Sequence, residues 1–208
     1  MPRPPVVLVR VRVIVWTMAT VIEKHRRSIR MCGYHYSSCG AYFITICSFE
    51  RKNIFGEIVD GKMLLNDYGL VVQEHWSAVP DHFPFAELSG HVVMPNHFHG
   101  IIFINAEEGE ACLAPTMHTA FSTPRAVIKP NSLGAIIAAF KSSVTKRINE
   151  LRRSPGSPVW QRNYFEHIVR NDEEMFQIQE YIESNPLKWE LDSENQTSSK
   201  RMPDSNHP

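Results

Sequence analysis

A His-x-His pair interrupts an apolar segment in the middle of the chain. His97 and His99 stand on either side of Phe98, directly before the β-branched and aromatic run 101–104. That composition, without a helical period, predicts a β-strand. Alternate side chains of a strand point to one face, so the two imidazoles are placed to hold one divalent metal ion while Phe98 faces a core behind the sheet. The alternative without chemistry is two histidines exposed at a sheet edge.

Residues 171–186 predict a helix that carries a tyrosine. Asn171 is a favourable N-cap and Glu174 follows three residues later, which is the pattern of a capping box. Pro186 ends the helix because the residue before a proline is pushed out of the α region. One apolar stripe recurs at helical spacing: Met175, Ile178 and Ile182. The helix is therefore expected to pack on the sheet through this stripe.

Tyr181 and Asn185 flank that stripe. They are four residues apart and hence neighbours on one helical face. If this face adjoins the histidines, two imidazoles, one amide oxygen and one phenol meet in one place. The Tyr181 phenol is then a candidate nucleophile. Tyr164 is the rival nucleophile, but it lies in an aromatic-rich segment and lacks an amide partner at helical spacing.

Three motifs occur in one order within residues 26–190. They are GAYFITIC at 40–47, VMPNHFHG at 93–100, and WQRNYFEH at 160–167 running on to YIESNP at 181–186. Three motifs in order are far more specific than any one alone. The pattern resembles the single-tyrosine His-hydrophobe-His transposases, and most closely the REP-associated tyrosine transposases.

This resemblance implies an activity, a cofactor and a partner. By match, His97 and His99 bind a divalent metal, Mg²⁺ or Mn²⁺, and Tyr181 forms a 5′-phosphotyrosyl bond with single-stranded or hairpin DNA. The implied enzyme is a metal-dependent transposase that nicks and rejoins DNA. Many insertion-sequence members have Gln as a further metal ligand where this chain has the shorter Asn185. Whether Tyr181 serves its own histidines or those of a second copy in a homodimer is left open.

Residue chemistry alone leaves other interpretations open. Two imidazoles suit zinc or manganese better than magnesium. A domesticated protein could keep the fold and bind DNA without cleaving it, although the intact His97, His99 and Tyr181 argue against a loss of chemistry. A metallohydrolase with a water nucleophile would need a carboxylate near the histidines, and the strand 97–104 contains neither Asp nor Glu.

Charge gives no support for a nucleic-acid partner overall, because 22 Lys and Arg balance 22 Asp and Glu. Local basic clusters can still contact phosphates, and the alternative is a solvated helix face. Aromatic residues 160, 164 and 165 would either stack on unpaired bases or fill the core. The candidate DNA-binding residues are Lys141, Lys146, Arg147, Arg162 and Arg170.

The predicted elements follow the ferredoxin-like order. Strands are expected at 42–49, 87–94 and 97–104, and an extended stretch at 159–170. One helix is expected to begin after the N-cap Asn66 and to end before Pro80, and another to begin after the N-cap Ser132. A hairpin over 54–65 turns at Asp60-Gly61, a type I′ dipeptide. Strand, helix, two strands, helix, strand is the split βαβ order of an α+β fold with an antiparallel sheet, here followed by the tyrosine helix.

Domain boundaries follow from composition. Residues 1–25 are expected to be a non-core extension, with Met18 a candidate translation start. The transposase-like domain spans 26–190 with a mobile insert at 106–131, and 191–208 form a disordered tail. The arginine-interrupted apolar run 6–16 is too short for a membrane span and lacks the charge order of a secretory signal. The four cysteines match no zinc spacing and are expected to be reduced, as in a cytoplasmic protein.

Overall fold

The computed structural model describes residues 39–105, 131–192 and 194–195. The predicted extension at 1–25, the insert up to residue 130 and the tail after residue 195 lie outside these residues. The strands are β1 (Gly40–Cys47), β2 (Gly56–Val59), β3 (Lys62–Leu65), β4 (Ala86–Val93), β5 (His97–Ile104) and β6 (Phe165–Val169). The α-helices are α1 (Asp67–Ser77), α2 (Val79–His82), α3 (Leu133–Leu151) and α4 (Asp172–Ser184).

Four strands form an antiparallel sheet in the order β4-β5-β1-β6. The segment β1 to β4 crosses over through α1, and β5 to β6 crosses over through α3, so each crossover skips the strand inserted between its ends. This is the split βαβ arrangement, and the predicted α+β fold is confirmed. The hairpin of β2 and β3 forms a separate two-stranded sheet. No helix in the described parts of the chain is long and apolar enough to cross a membrane.

The crossover helices cover one face of the sheet and build the main core. Trp76 of α1 and Phe140 of α3 both contact Phe98 of β5, with ring centroids 4.8 Å and 5.6 Å away. Phe98 therefore faces this core, as the alternation in the sequence predicts. Gly100 follows it on the same face, and a Cβ there would lie 2.8 Å from Cζ2 of Trp76. The absence of a side chain at Gly100 lets the indole lie directly on the strand.

Replacing Gly100 by Ala should lower the free energy of unfolding by about 1–3 kcal/mol, because the added methyl group overpacks the core. Urea denaturation measures this change. Gly90→Ala on the neighbouring strand is the matched control, since a Cβ at Gly90 meets its nearest atom at 3.9 Å, an ordinary contact. Equal stability of the two variants would show that the Trp76 contact is not tight.

Local start and turn signals have the structures that the sequence predicts. The side chain of Asn66 accepts hydrogen bonds from the backbone N–H groups of Tyr68 and Gly69. Asp60 and Gly61 both have positive φ, 51° and 71°, which a type I′ turn requires. The prediction that the first helix ends before Pro80 is confirmed. Helix α2, which contains this proline, was not predicted from the sequence.

Helix α4 packs on the opposite face of the sheet. Its buried residues Ile178 and Ile182 contact Phe43 and Ile101 in a second, smaller cluster. The N-cap prediction is confirmed, because Oδ1 of Asn171 accepts from the Glu174 N–H at 2.8 Å. The reciprocal half of the capping box is wrong: the Glu174 carboxylate accepts from the Arg170 N–H and lies 2.6 Å from Nε2 of His167.

Two expectations about order and cysteines need correction. Residues Glu194 and Asn195 are buried, 7% and 5% exposed, although the tail was expected to begin at 191. Contacts with the site, described below, explain why these two residues are buried. Cys39 is disulfide-bonded, so the expectation of reduced cysteines is wrong for that residue, whereas Cys47 is free.

Candidate active site

The two histidines of β5 lie side by side on the face that α4 covers. On the neighbouring strand β1, Cys47 pairs with His97 and Thr45 pairs with His99. The ring centroids of the two histidines are 4.5 Å apart. Strand β5 lies between β4 and β1, and α4 covers this face, so both rings are buried, with His97 0% and His99 3% exposed. The interpretation of two histidines exposed at a sheet edge is therefore wrong.

Asn96 sets the tautomer of His97. Its Nδ2 donates to the backbone carbonyls of Arg51 and Glu194, at 3.2 Å and 2.7 Å, so its Oδ1 faces Nδ1 of His97 at 2.8 Å. Since an amide oxygen only accepts, Nδ1 of His97 carries the hydrogen. The lone pair of Nε2 is then available, and Nε2 is buried without a hydrogen-bond partner among the described residues.

His99 has a fixed ring orientation. Its Nδ1 is 2.8 Å from Oγ1 of Thr45, and its ring stacks on Phe43 with centroids 5.4 Å apart. Its Nε2 faces Tyr181, whose hydroxyl oxygen is 3.4 Å away. Burial lowers the pKa of His99 to about 3, and burial also lowers the pKa of His97 well below its ordinary value. Both imidazoles are therefore neutral and able to act as ligands.

Tyr181 of α4 reaches His99, and the C-cap residue Asn185 lies beside Tyr181, with a side-chain hydrogen bond to it. The Tyr181 ring lies edge-on to Phe43, with centroids 6.1 Å apart. Burial is the main cause that raises the pKa of Tyr181 above its ordinary value, and the nearby Asp192 carboxylate adds to the shift. Asn185 is 3% exposed, and its Oδ1 is buried without a hydrogen-bond partner among the described residues. Two helical neighbours thus present a phenol and an amide oxygen to one place.

The rival tyrosine lies elsewhere. Tyr164 packs against the main core, which fills the other face of the sheet. Trp160 is 6% exposed and contacts Phe55 at a centroid distance of 4.9 Å, so it fills the core. Phe165 contacts Phe43 edge-on at 6.5 Å. Of the two candidate tyrosines, only Tyr181 is brought to the histidines.

The donor set fits a divalent metal ion. Nε2 of His97 and Oδ1 of Asn185 are electron-pair donors that are buried without hydrogen bonds, which is costly unless an ion or a polar group uses them. Two imidazole nitrogens with an amide oxygen suit Mn²⁺ or Zn²⁺, and Mg²⁺ with additional oxygen ligands. No group of three His, Cys, Asp or Glu side chains in the described ranges is already arranged to hold a metal.

Two known proteins match the chain in sequence. No protein-family model matches the chain. An uncharacterized protein of Haemophilus influenzae is 42% identical over 168 residues, which cover 81% of this chain and 92% of that protein, so the two belong to one family. A second Haemophilus influenzae protein, whose name places it among the REP-associated tyrosine transposases, is 22% identical over 161 residues, which cover 74% of this chain and 73% of that protein.

A solved structure has the same fold. The structure of a REP-associated tyrosine transposase bound to a REP hairpin matches with a TM-score of 0.51 at 19% identity, over 77% of this chain and 74% of that chain. The chain is thus similar in fold to a REP-associated tyrosine transposase, and similar in sequence to one protein of that name.

The C-terminal segment, residues 189–192 with 194 and 195, lies against the histidines and was not predicted from the sequence. Oδ2 of Asp192 is 3.9 Å from Nε2 of His97. Glu194 forms an ion pair with Arg51, whose Nε is 3.0 Å from its Oε2. The Trp189 ring centroid lies 6.0 Å from that of His97. The local sequence does not predict these contacts, because the segment is polar and lies far along the chain from the histidines.

Three of the predicted DNA-binding residues lie on α3, and Arg162 and Arg170 lie on either side of β6. Helix α3 covers the opposite face of the sheet, so Lys146 and Arg147 are separated from Tyr181 by the sheet. Nζ of Lys141 donates to the backbone carbonyls of residues 161 and 162 at 2.6 Å and 3.0 Å, and burial lowers its pKa to about 8. Arg162 and Arg170 are exposed. The role of these five residues in DNA binding stays a prediction.

Proposed function

We propose that this protein is a transposase-like enzyme that cleaves and rejoins single-stranded DNA, with Tyr181 as its nucleophile. One observation carries the proposal: the fold brings the Tyr181 hydroxyl within 3.4 Å of Nε2 of His99, across 82 residues of sequence. The relationship to the REP-associated tyrosine transposases supports the reaction type. A DNA hairpin is the proposed partner because the solved relative is bound to one.

The chemical step transfers a phosphodiester bond to the protein. The phenolic oxygen of Tyr181 loses its proton and bonds to phosphorus, and the bond between phosphorus and the 3′-oxygen breaks. The 3′-oxygen gains a proton and leaves as a hydroxyl, while the 5′-phosphate stays on the tyrosine. Attack by a 3′-hydroxyl on this phosphotyrosine reverses the step and releases the phenol. The energy of the phosphodiester is kept, so rejoining needs no nucleotide cofactor.

A divalent metal is part of the proposal. His97, His99 and Asn185 would hold Mg²⁺ or Mn²⁺, which supplies positive charge to the scissile phosphate and to the attacking oxygen. This charge is needed because burial raises the pKa of Tyr181 and so opposes its ionisation. Phe43 contacts the rings of both His99 and Tyr181 and so keeps both in place.

The test is whether hairpin DNA becomes covalently attached to the protein. A pool of hairpins with randomised single-stranded flanks is labelled at the 5′ or the 3′ end and incubated with the protein and Mn²⁺. Denaturing gels should show a protein-linked band only for the 3′ label, since the tyrosine keeps the 5′-phosphate of the downstream strand. Binding of the hairpin with neither a linked band nor cut DNA would overturn the proposal in favour of a non-cleaving DNA-binding protein.

A second candidate function is a metallohydrolase that uses water as nucleophile. The specific observation in its favour is Asp192, a carboxylate 3.9 Å from Nε2 of His97, which is the group that this interpretation requires. The same gels distinguish the two functions. A hydrolase produces cut DNA that never passes through a protein-linked band.

Thr45→Val should weaken Mn²⁺ binding by about 10-fold to 100-fold, because a hydrogen bond to the second ring nitrogen orients a metal-binding histidine. Valine keeps the shape of threonine and removes the hydroxyl that contacts Nδ1 of His99 at 2.8 Å. Isothermal titration calorimetry measures the Mn²⁺ affinity. Thr45→Ser retains the hydroxyl and should bind as wild type; a loss in both variants would trace the effect to packing.

A further inference from the structure

Two electron-pair donors face each other in the buried site. The Asn96 amide holds the hydrogen of His97 on Nδ1, so Nε2 presents its lone pair. Oδ2 of Asp192 lies 3.9 Å from that Nε2, and the side chains are 0% and 9% exposed. A lone pair and a carboxylate oxygen repel each other at this distance unless a cation lies between them. The separation is also too long for a direct hydrogen bond.

Several hydrogen bonds fix the position of Asp192 and of the segment that contains it. Its other oxygen, Oδ1, accepts from the Glu194 N–H at 2.8 Å, which leaves Oδ2 free to face the histidine. The Glu194 carbonyl in turn accepts from Nδ2 of Asn96 at 2.7 Å. Nδ2 of Asn195 donates to the Trp189 carbonyl at 2.9 Å. The amide that sets the tautomer of His97 thus also anchors the segment that brings in the carboxylate.

We propose that Asp192 is a further, carboxylate ligand of the metal ion, in addition to His97, His99 and Asn185. Metal–ligand bonds of about 2.1 Å place two ligands of one ion at most about 4.2 Å apart, and the observed 3.9 Å lies within this limit. Two imidazoles, one amide oxygen and one carboxylate form a mixed set that suits Mn²⁺ and related divalent ions. This inference rests on the proposed function, because it concerns the same ion.

The test is calorimetric titration of Mn²⁺ into the full chain without DNA, so that the readout does not depend on cleavage. Asp192→Ala and the isosteric Asp192→Asn should each bind Mn²⁺ at least about 10-fold more weakly than wild type, since loss of a ligand costs no less than loss of an outer-shell partner. The matched control is Glu190→Gln, which removes one negative charge from an exposed residue of the same segment. It should change the affinity less than twofold.

The outcomes separate this inference from the proposed function. His97→Ala should lose Mn²⁺ binding altogether. If His97→Ala loses binding while both Asp192 variants bind as tightly as wild type, Asp192 is not a ligand and the histidine site stands. If His97→Ala also binds like wild type, the metal site itself is wrong. Equal weakening in Glu190→Gln would assign the effect to net charge and overturn the inference. Thermal denaturation checks that Asp192→Asn, which keeps the side-chain volume, is folded.

Discussion

Tyr181→Phe should produce no protein-linked DNA, at the level of a reaction without protein. The substitution removes only the hydroxyl, and the ring keeps its edge-on contact with Phe43 at 6.1 Å. The neighbouring residues Ile178 and Ile182 still bury the helix face, so the fold and the affinity for a DNA hairpin should be unchanged. The measurement is the gel assay with 3′-labelled hairpin and Mn²⁺, beside an electrophoretic mobility shift for binding.

Tyr164→Phe is the matched control, because it removes the same atom from the tyrosine that packs against the main core on the other sheet face. It should form the adduct as wild type does. An adduct that persists in Tyr181→Phe and disappears in Tyr164→Phe would move the nucleophile to the other face of the sheet. That result would contradict the geometry on which the proposed function depends.

Much of the fold follows from signals that act over a few residues. The N-caps Asn66, Ser132 and Asn171 each accept a backbone hydrogen bond at the start of a helix, because that bond requires only the next three residues. The turn at Asp60-Gly61 needs only two residues that adopt positive φ. Alternation along β5 places His97 and His99 on one face for the same reason: the period of a strand is a local property.

Burial of that face is not a local property. Whether a histidine on a strand is exposed depends on the position of the strand in the sheet and on what covers it. Strand β5 is an interior strand, and α4 covers the face of its histidines. The sequence alone therefore predicts the pairing of the imidazoles but leaves their exposure open, and the exposed-edge alternative could not be rejected before the strand order was known.

The contacts of the C-terminal segment could not be predicted from the sequence for a further reason. Polar residues after a helix usually indicate a solvated tail, and Asp192 and Glu194 match that expectation in composition. Their positions come from contacts with residues far away in sequence, such as the bond from Asn96 to Glu194 across 98 residues. The hydrogen bonds of Lys141 could not be predicted either, because its two carbonyl acceptors belong to a loop that no periodicity predicts.

Replacing His97 and His99 together by Ala should abolish both Mn²⁺ binding and adduct formation. Removal of outer-shell partners alone costs about 10-fold to 100-fold in metal affinity, so loss of both imidazole ligands should leave no measurable heat of binding in calorimetry. The Tyr181→Phe variant should differ in one respect: it keeps Mn²⁺ binding and loses only the adduct. This difference separates the metal site from the nucleophile.

The matched control for the histidine variant is His75→Ala. His75 lies on α1, across the sheet from the site, and its Nδ1 contacts the Val71 carbonyl within the same helix. It should keep Mn²⁺ affinity and adduct formation. Because His97 and His99 are buried, the double variant must also retain a cooperative thermal transition and hairpin binding, which shows that a packing defect is not the cause. Wild-type Mn²⁺ binding in a folded double variant would remove the metal from β5, and Tyr181 would then need another source of positive charge to ionise.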